Sequence, residues 1–251
     1  LSPTFAAATT AYTASVANAV TSLTVTPTAT QANATITVND TAVTSGVASG
    51  SIALAVGANS IAVVVTAQDG TTTATYTITV TRLASTTATL SALSLSSGTL
   101  SPTFAGATKT YTASVANAVT SLTVTPTLTD TTATVKVNGT LVTSGTASGA
   151  ITLAVGSNTV SVLVTAQDGT TTSTYTVTVT RAASSDATLS ALSLGSAALS
   201  PTFASATKTY TASVANAVTS TTVTPTVNDT TATVKVNGTA VTSGRSEEHT
   251  S

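Results

Sequence analysis

The sequence predicts an all-β chain built from tandem antiparallel β-sandwiches, and three observations support that prediction. The segment LSPTF begins at Leu1, Leu100 and Leu199, so the chain repeats itself at a constant spacing of one small domain. Hydroxyl and apolar residues alternate strictly over residues 75–81 and 174–180, which is the two-residue period of a strand with one buried face. Turn residues separate such segments at short intervals. Seven or eight short strands in about 95 residues are typical of a two-sheet sandwich.

The middle repeat shows the strand pattern most completely. Threonine suits the solvated face of a strand, because its β-branch fits the pleat and its hydroxyl group binds water. The segment from Val160 to Val164 is more continuously apolar, which predicts a central strand covered on both faces. The predicted strands lie near 90–95, 110–115, 121–126, 133–137, 140–143, 149–154, 158–167 and 172–180. Their apolar residues form the predicted core: Leu90, Leu93, Leu95, Phe104, Tyr111, Val115, Leu122, Val124, Val135, Val137, Ile151, Leu153, Val160, Val162, Val164, Tyr175, Val177 and Val179.

Tight turns are predicted where Asn-Gly or Asp-Gly pairs interrupt the alternation. An Asn-Gly pair between alternating apolar residues is a strong hairpin signal, because both turn residues need a positive φ. The first repeat carries Asn-Asp at the equivalent position, which is a weaker form of the same signal. The predicted turns are Asn39-Asp40, Asp69-Gly70, Asn138-Gly139, Asp168-Gly169 and Asn237-Gly238.

Five segments of the middle repeat resemble the cadherin-like β-sandwich domain of bacterial surface proteins, which has an immunoglobulin-like fold: ATLSALSLSSGTLSPTF, YTASV, VTSLTVTPT, ATVKVNG and LAVGSNTVSVLVTAQDGTTTSTYTVTVTR. The resemblance implies domain boundaries near Ala88 and Ala187. Residues 1–82 would then form a first repeat without its opening strand, and residues 88–182 a complete second repeat. Residues 187–244 would form a third repeat that stops before its last strands.

The last seven residues, 245–251 (RSEEHTS), differ in character from the rest of the chain. They contain both glutamates and the only histidine, and they interrupt the repeat. They resemble a translated sequencing adapter, so we interpret them as read-through in a metagenomic fragment and exclude them from the fold prediction. Because each fully buried apolar side chain contributes roughly 1.5–3 kcal/mol, we also predict that the truncated third repeat is frayed or unfolded in isolation.

Composition excludes several classes of function. The chain has 7 Lys+Arg against 8 Asp+Glu, and only 6% of its residues are charged, so no basic surface is expected for nucleic acid or an anionic membrane. It has no cysteine, which excludes disulfides and thiolate metal sites. No apolar run approaches the roughly 18 residues that insertion into a bilayer requires.

Candidate catalytic residues are few. Nucleophilic catalysis by Ser or Thr needs an adjacent base, and the only histidine is His249 in the tail. Asp69 and Asp168 each lie between Gln and Gly, where a role in turn formation is expected instead of acid–base chemistry. The sequence therefore predicts no enzyme, no catalytic residue and no cofactor.

Calcium binding is the more specific possibility to consider, because cadherins bind this ion between domains. Ca²⁺ requires six to eight oxygen ligands, usually from several acidic residues. The second linker, residues 182–186, offers Asp186 alone, and the first linker, residues 83–87, offers none. Asp40, Asp130 and Asp229 lie beside predicted turns. We therefore predict no metal site.

Other polar residues on the strands are also predicted to be solvated. Lys136 and Lys235 occupy one face of an alternating strand, and an isopeptide bond would need a buried carboxylate beside them. Five sequons are expected as chance products of the threonine content: Asn33, Asn39, Asn138, Asn228 and Asn237.

Three classes of function stay open. The first is a structural spacer or stalk in a bacterial cell-surface or secreted adhesin-like protein, with neighbouring repeats of the same chain as partners. Cell-surface glycans or host proteins would then be bound through other domains. The second is a carbohydrate- or protein-binding module, which would need exposed aromatic residues or a polar cluster in the loops. The third is an accessory domain array of a large extracellular enzyme. All three imply an extracellular or cell-surface location.

Overall fold

The computed structural model describes the backbone of residues 1–250 and the side chains of residues 1–246. All regular structure within these residues is β-strand, so the predicted fold class is confirmed. Over this part of the chain no helix is long and apolar enough to cross a membrane. The chain divides into two compact units: residues 1–113 with 121–152 and 159–179, and residues 114–120 with 153–158 and everything from 180 onward.

The first repeat contains one five-stranded sheet, in the order β1-β7-β6-β3-β4, and a short pair formed by β2 and β5. The strands are β1 (Ala11–Val16), β2 (Ser22–Leu23), β3 (Thr35–Val38), β4 (Thr41–Val43), β5 (Ile52–Ala53), β6 (Gly57–Thr66) and β7 (Thr73–Arg82). The buried cluster between them is Tyr12, Ile36, Val38, Leu54, Ile61, Val63, Ile78 and Val80.

The pairing of β1 with β7 differs from the antiparallel prediction. β1 runs parallel to β7, with Tyr12 opposite Ile78, whereas β6 and β7 form the expected antiparallel hairpin. β1 and β7 lie far apart in sequence and no tight turn joins them, so a parallel pairing is possible. Alternation in sequence predicts each strand but carries no information about that direction.

The middle repeat has a five-stranded sheet in the order β13-β12-β15-β16-β9, together with the pairs β11-β8 and β10-β14. The strands are β8 (Leu90–Leu95), β9 (Thr110–Val115), β10 (Ser121–Leu122), β11 (Val124–Leu128), β12 (Thr134–Val137), β13 (Thr140–Val142), β14 (Ile151–Thr152), β15 (Gly156–Thr165) and β16 (Thr172–Arg181). The opening strand β8 therefore covers the face opposite the large sheet.

Two of the predicted strands differ markedly from the structure, whereas the bounds of the others agree to within two residues. The segment predicted as one strand over 121–126 forms β10 and β11, because Leu122 pairs with Ile151 whereas Val124 pairs with Leu95. The chain changes partner between them. The segment predicted over 149–154 shortens to β14 for the same reason, since β10 offers it only two residues to pair with.

The predicted core of the middle repeat is buried with three exceptions, Leu95, Phe104 and Ile151, which are half-buried. The prediction that Val160 to Val164 is covered on both faces is wrong. Val160, Val162 and Val164 are fully buried, whereas Ser161 and Leu163 on the other face are half-buried. The strand is central in its sheet, but only one face of that sheet meets the core.

The third repeat forms a three-stranded sheet, β17-β18-β21, and a hairpin of β19 and β20. The strands are β17 (Leu189–Leu194), β18 (Ser220–Val227), β19 (Val234–Val236), β20 (Thr239–Val241) and β21 (Glu247–Thr250). Residues 209–214, which match β9, do not form a strand in this repeat, and Val214 is 48% exposed against 7% for Val115. The large sheet that β9 joins in the middle repeat has no counterpart in the described part of the third.

The C-terminal tail pairs with the third repeat, although we excluded it from the fold prediction. The backbone of β21 lies antiparallel to β18. An unpaired edge such as that of β18 accepts an extended segment of almost any sequence, because the pairing uses backbone groups. The domain boundaries proposed from the sequence stay a prediction.

The two-residue turn is confirmed at three of the five predicted positions, Asn39-Asp40, Asn138-Gly139 and Asn237-Gly238. At Asp69-Gly70 and Asp168-Gly169 only the glycine has a positive φ, and a longer loop joins the two strands, so the prediction of the same turn there is wrong. Asn138 and Gly139 both have positive φ, 47° and 84°, between β12 and β13. Asn39 and Asp40 adopt the same conformation in the first repeat, at 47° and 63°. The weaker Asn-Asp signal therefore forms the same type of turn.

Candidate functional site

The most polar buried feature of the described chain lies in the first linker, at Ser85. Only 8% of Ser85 is exposed. Its backbone N–H donates to Oε1 of Gln167 at 3.0 Å, and its carbonyl oxygen accepts a hydrogen bond from the backbone N–H of Asp168 at 3.1 Å. Its Oγ accepts from the backbone N–H of Thr87 at 3.2 Å. The turn between β15 and β16 therefore binds the linker that precedes its own repeat.

A second turn of the middle repeat reaches the same serine. The carboxylate of Asp130 accepts a hydrogen bond from the side chain of Ser85, and this bond is the largest cause of a lowered Asp130 pKa. Thr132 lowers the pKa of Asp130 further, through its hydroxyl at 2.7 Å and its backbone N–H at 2.9 Å. With these contacts, every polar group of Ser85 has a partner, which is the condition for burying it without a desolvation penalty.

The first repeat holds the other end of the linker. Asn18 donates from Nδ2 to the carbonyl oxygen of Leu83 at 3.0 Å, and Arg82 donates from Nε to the carbonyl oxygen of Asn18 at 2.8 Å. Asn18 Nδ2 also approaches Oε1 of Gln167 at 3.4 Å. Gln167 therefore contacts both the linker and the first repeat. We call Asn18, Ser85, Asp130 and Gln167 the first joint.

Two acidic residues reach the first linker from elsewhere in the chain. The linker itself, residues 83–87, contains none, but the structure brings the carboxylate of Asp130 and the backbone of Asp168 to Ser85. Both residues lie on turns far from the linker in sequence, so reading the linker alone misses them. The available signal was Gln167, because a Gln precedes the Asp-Gly turn in both of the first two repeats.

A similar group of Ser, Asp and Thr side chains surrounds the second linker, residues 182–186, which we call the second joint. The side chain of Ser184 is the largest cause of a lowered pKa at Asp229, which Thr231 lowers further, whereas the nearby charge of Asp186 raises it. Asp186 accepts from Thr188 and from Nδ2 of Asn228, the latter at 2.6 Å, and both bonds lower its pKa.

The remaining aspartates stabilise turns. Asp69 accepts hydrogen bonds from the hydroxyl and the backbone N–H of Thr72 and from the backbone N–H of Thr71, and these bonds lower its pKa to about 2. Asp168 makes the equivalent bonds, above all with Thr171, and its pKa is also about 2. Among the described side chains, no group of three or more Asp, Glu, His or Cys residues lies close enough together to hold a metal ion.

The other residues considered from the sequence lie apart from the joints. Lys136 and Lys235 are exposed on their strands, as predicted. The five sequon asparagines are exposed, and the side chains of Asn39 and Asn138 also accept backbone hydrogen bonds at 2.9 Å from Ala62 in β6 and Ser161 in β15. Asp40 is part of its hairpin turn. The side chain of His249 lies outside the described residues.

The first repeat also contains an open apolar groove of about 750 Å³. Its walls include the rings of Phe5, Tyr12 and Tyr76 together with Pro27 and Val63. Phe5 is 60% exposed, and its ring lies 5.7 Å from that of Tyr12 and 6.0 Å from that of Tyr76. In the middle repeat β8 occupies the corresponding position.

The cadherin-like beta sandwich domain matches the chain over residues 1–83, 90–182 and 186–251. The chain belongs to this family. The resemblance stated from the sequence is thereby confirmed. Cadherin-like domains of this type are non-catalytic β-sandwiches and are typical of extracellular modules.

The chain is also similar to parts of several solved structures. The fibronectin(III)-like modules of Clostridium thermocellum CbhA are 14% identical, over 70% of this chain and 93% of that one, with a TM-score of 0.20. The human desmocollin-1 ectodomain is 10% identical, over 87% of this chain and 45% of that one, with a TM-score of 0.25. Bacteroides ovatus SGBP-B, solved with a mixed-linkage heptasaccharide, is 14% identical over 100% and 69%, with a TM-score of 0.19. No curated protein matches the chain by sequence.

Proposed function

We propose that this cadherin-like chain is part of a structural spacer or stalk in a bacterial cell-surface or secreted adhesin-like protein. The observation that carries the proposal is the first joint, where the linker is hydrogen-bonded to both repeats that it connects. A module that only tethers a neighbouring domain needs no such bonds. A spacer does, because it must hold successive domains at a defined separation.

The chemistry of the joint suits a permanent structural role. Its bonds join neutral amides, a hydroxyl group and backbone groups, and Asp130 is the one carboxylate whose side chain bonds to Ser85. Such bonds are short-range and need no bound ion. On this proposal the partners of the chain are its own neighbouring repeats, and other domains of the parent protein bind glycans or host proteins.

A carbohydrate-binding role receives less support from the aromatic residues. Sugar-binding surfaces usually present exposed rings. Tyr12, Tyr111 and Tyr175 are buried, and their hydroxyl groups bond to nearby backbone groups. Phe5, the exposed ring, lies in the apolar groove of the first repeat.

The proposal is tested by measuring how well the first joint holds its two repeats. The chain has no cysteine, so spin labels can be placed on V47C and L141C, two exposed sites in the first and middle repeats. Pulsed electron spin resonance on the full chain then reports the distribution of distances between the labels. We expect one narrow distribution in the parent chain and a clearly broader one after Gln167→Ala.

The matched control is Gln68→Ala. Gln68 occupies the same turn position in the first repeat, but its Oε1 accepts from Nδ2 of Asn33 at 3.2 Å and not from a linker. This variant should leave the distribution unchanged. A broad distribution in the parent chain, or equal broadening by both variants, would contradict a spacer role.

A further inference from the structure

The turn between β12 and β13 presents an Asn-Gly pair to solvent. Asn138 and Gly139 are both exposed, and both have the positive φ of a two-residue turn, 47° and 84°. A Cβ built on Gly139 would meet nothing within 4 Å. The pairing that closes the turn joins Val137 with Thr140, so it does not engage the backbone nitrogen of Gly139. This nitrogen is therefore open to the side chain that precedes it.

The side chain of Asn138 takes the place of a backbone group in the sheet. The backbone N–H of Asn138 donates to the carbonyl oxygen of Ser161 at 2.8 Å, and its side-chain Oδ1 accepts from the backbone N–H of Ser161 at 2.9 Å. Ser161 lies in β15, the strand that pairs with β12. Oδ1 therefore continues the β12–β15 ladder one residue beyond its end, where the backbone has already turned away.

This arrangement supplies the parts of an intramolecular acyl transfer. The Cγ of Asn138 is the electrophile, and the backbone nitrogen of Gly139 is a nucleophile held on the adjacent residue. The N–H of Ser161 lies 2.9 Å from Oδ1, within the distance at which a donor stabilises a developing oxyanion. Glycine suits the nucleophile best, because it carries no side chain beside the attacking nitrogen.

We propose that Asn138 is a site of spontaneous deamidation in the folded chain, with the backbone N–H of Ser161 as the group that polarises its side-chain carbonyl. The nitrogen of Gly139 gives up its proton and bonds to Cγ, while Nδ2 accepts a proton through solvent and leaves as ammonia, so that a succinimide ring forms. Water then adds to one ring carbonyl, the bond from that carbon to the nitrogen breaks, and the nitrogen regains a proton. Addition at Cγ yields aspartate, and addition at the backbone carbonyl yields isoaspartate.

The two products have different effects on the hairpin. Aspartate keeps the length of the backbone and adds a negative charge, in a chain where only 6% of the residues are charged. In isoaspartate the main chain runs through Cγ, so the carbonyl that accepts from Ser161 becomes a backbone carbonyl. The turn then contains an additional main-chain carbon, which loosens the closing pair of Val137 and Thr140.

The first repeat contains the same turn with a different second residue. Asn39 and Asp40 have φ values of 47° and 63°, and Oδ1 of Asn39 accepts from the backbone N–H of Ala62 at 2.9 Å. The residue that supplies the nucleophile is the clear difference between the two turns. Asp40 places a Cβ and a carboxylate beside its backbone nitrogen, which crowds the attack and disfavours loss of the amide proton. Asn39 should therefore react about tenfold or more slowly than Asn138.

The experiment follows the purified full chain over several weeks at neutral pH. Tryptic digestion and tandem mass spectrometry detect the replacement of an amide NH₂ by OH at each asparagine separately. Protein isoaspartyl methyltransferase with a labelled methyl donor detects isoaspartate independently. We expect Asn138 to react in the folded chain at least as fast as in the chain unfolded by denaturant, because folding supplies the Ser161 donor.

Exchanging the two turns provides matched variants. Gly139→Asp gives the middle repeat the turn of the first, and Asp40→Gly gives the first repeat the turn of the middle, so both variants carry turns that already fold in this chain. Gly139→Asp should slow the reaction of Asn138 about tenfold or more, and Asp40→Gly should accelerate that of Asn39 by a similar factor.

Three outcomes would overturn the proposal. The first is an Asn138 that keeps its amide as long as Asn39 does. The second is a reaction at Asn138 that is slower in the folded chain than in the unfolded chain, since the fold would then protect the amide. The third is a pair of exchanged turns that leaves both rates unchanged.

Discussion

The hydroxyl group of Tyr175 offers a direct measure of what the opening strand contributes to a repeat. Tyr175 is fully buried, and its Oη accepts from the backbone N–H of Leu90 at 3.0 Å and donates to the carbonyl oxygen of Gly106 at 2.9 Å. Tyr175→Phe keeps the ring and leaves both backbone groups without this partner. One unsatisfied buried group costs about 1–3 kcal/mol, so we expect the middle repeat to lose about 2 kcal/mol of stability.

The equivalent substitution in the first repeat is the control. Tyr76 donates from Oη to the carbonyl oxygen of Ala7 at 3.0 Å, in an exposed position where water can replace the lost bond. Tyr76→Phe should therefore cost about 0.5 kcal/mol, the low end for a hydrogen bond. The two substitutions are chemically identical, so the difference between them isolates the contribution of β8.

Hydrogen exchange followed by mass spectrometry is the suitable assay, because it resolves the repeats in the intact chain. A loss of 2 kcal/mol corresponds to about thirtyfold faster exchange in β15 and β16, since 1.4 kcal/mol is a factor of ten. Tyr76→Phe should change exchange in β6 and β7 by about a factor of two. Equal effects in the two repeats would refute the reasoning that β8 buries this hydroxyl group.

Three further predictions concern turns and the third repeat. The pKa values of Asp69 and Asp168 are lowered to about 2, so the stability from these turns is present above the unfolded pKa near 3.8 and is lost as the pH falls toward 2. Thermal melts across that pH range should show the loss of stability. The double variant Asp69→Asn/Asp168→Asn should remove most of this pH dependence. Gly139→Ala forces a side chain into φ +84° and should cost about 1 kcal/mol, measured by denaturant unfolding. A fragment of residues 187–244 should unfold without the cooperative transition of a fragment of residues 88–182.

Each of these predictions has a clear contrary result. The aspartate prediction fails when the double variant keeps the full acid dependence of the parent chain. The glycine prediction fails when Gly149→Ala, at a position with open space and no positive φ, is as destabilising as Gly139→Ala. The fragment prediction fails when both fragments melt with equal cooperativity.

The sequence predicts the strands and turns of this chain well, because those features depend on neighbouring residues. Alternation over 174–180 places β16, and Asn138-Gly139 places the β12–β13 hairpin. Both signals are local and nearly independent of the rest of the fold. The core residues follow from the same alternation, which is why most of those predicted in the middle repeat are buried.

The first joint could not be predicted in the same way. Gln167, Asp130 and Ser85 lie on three separate segments, and only the folded sandwich brings them together. The parallel direction of β1 and the groove beside Tyr76 have the same origin. Each depends on where strands that are distant in sequence meet in the fold, and the alternation of residues within one strand carries no information about that. The recurring Gln before the Asp-Gly turn was visible, but its partner was not.

The direction of the bonds at the first joint has a mechanical consequence. Gln167 and Asp130 belong to the repeat that follows the linker, so their hydrogen bonds to Ser85 exist only while that repeat is folded. If a pulling force unfolds this repeat, the linker before it loses these hydrogen bonds in the same event. A tethered array of such domains would lengthen and become more compliant together, one domain at a time, and so absorb a sudden load without breaking at a single point.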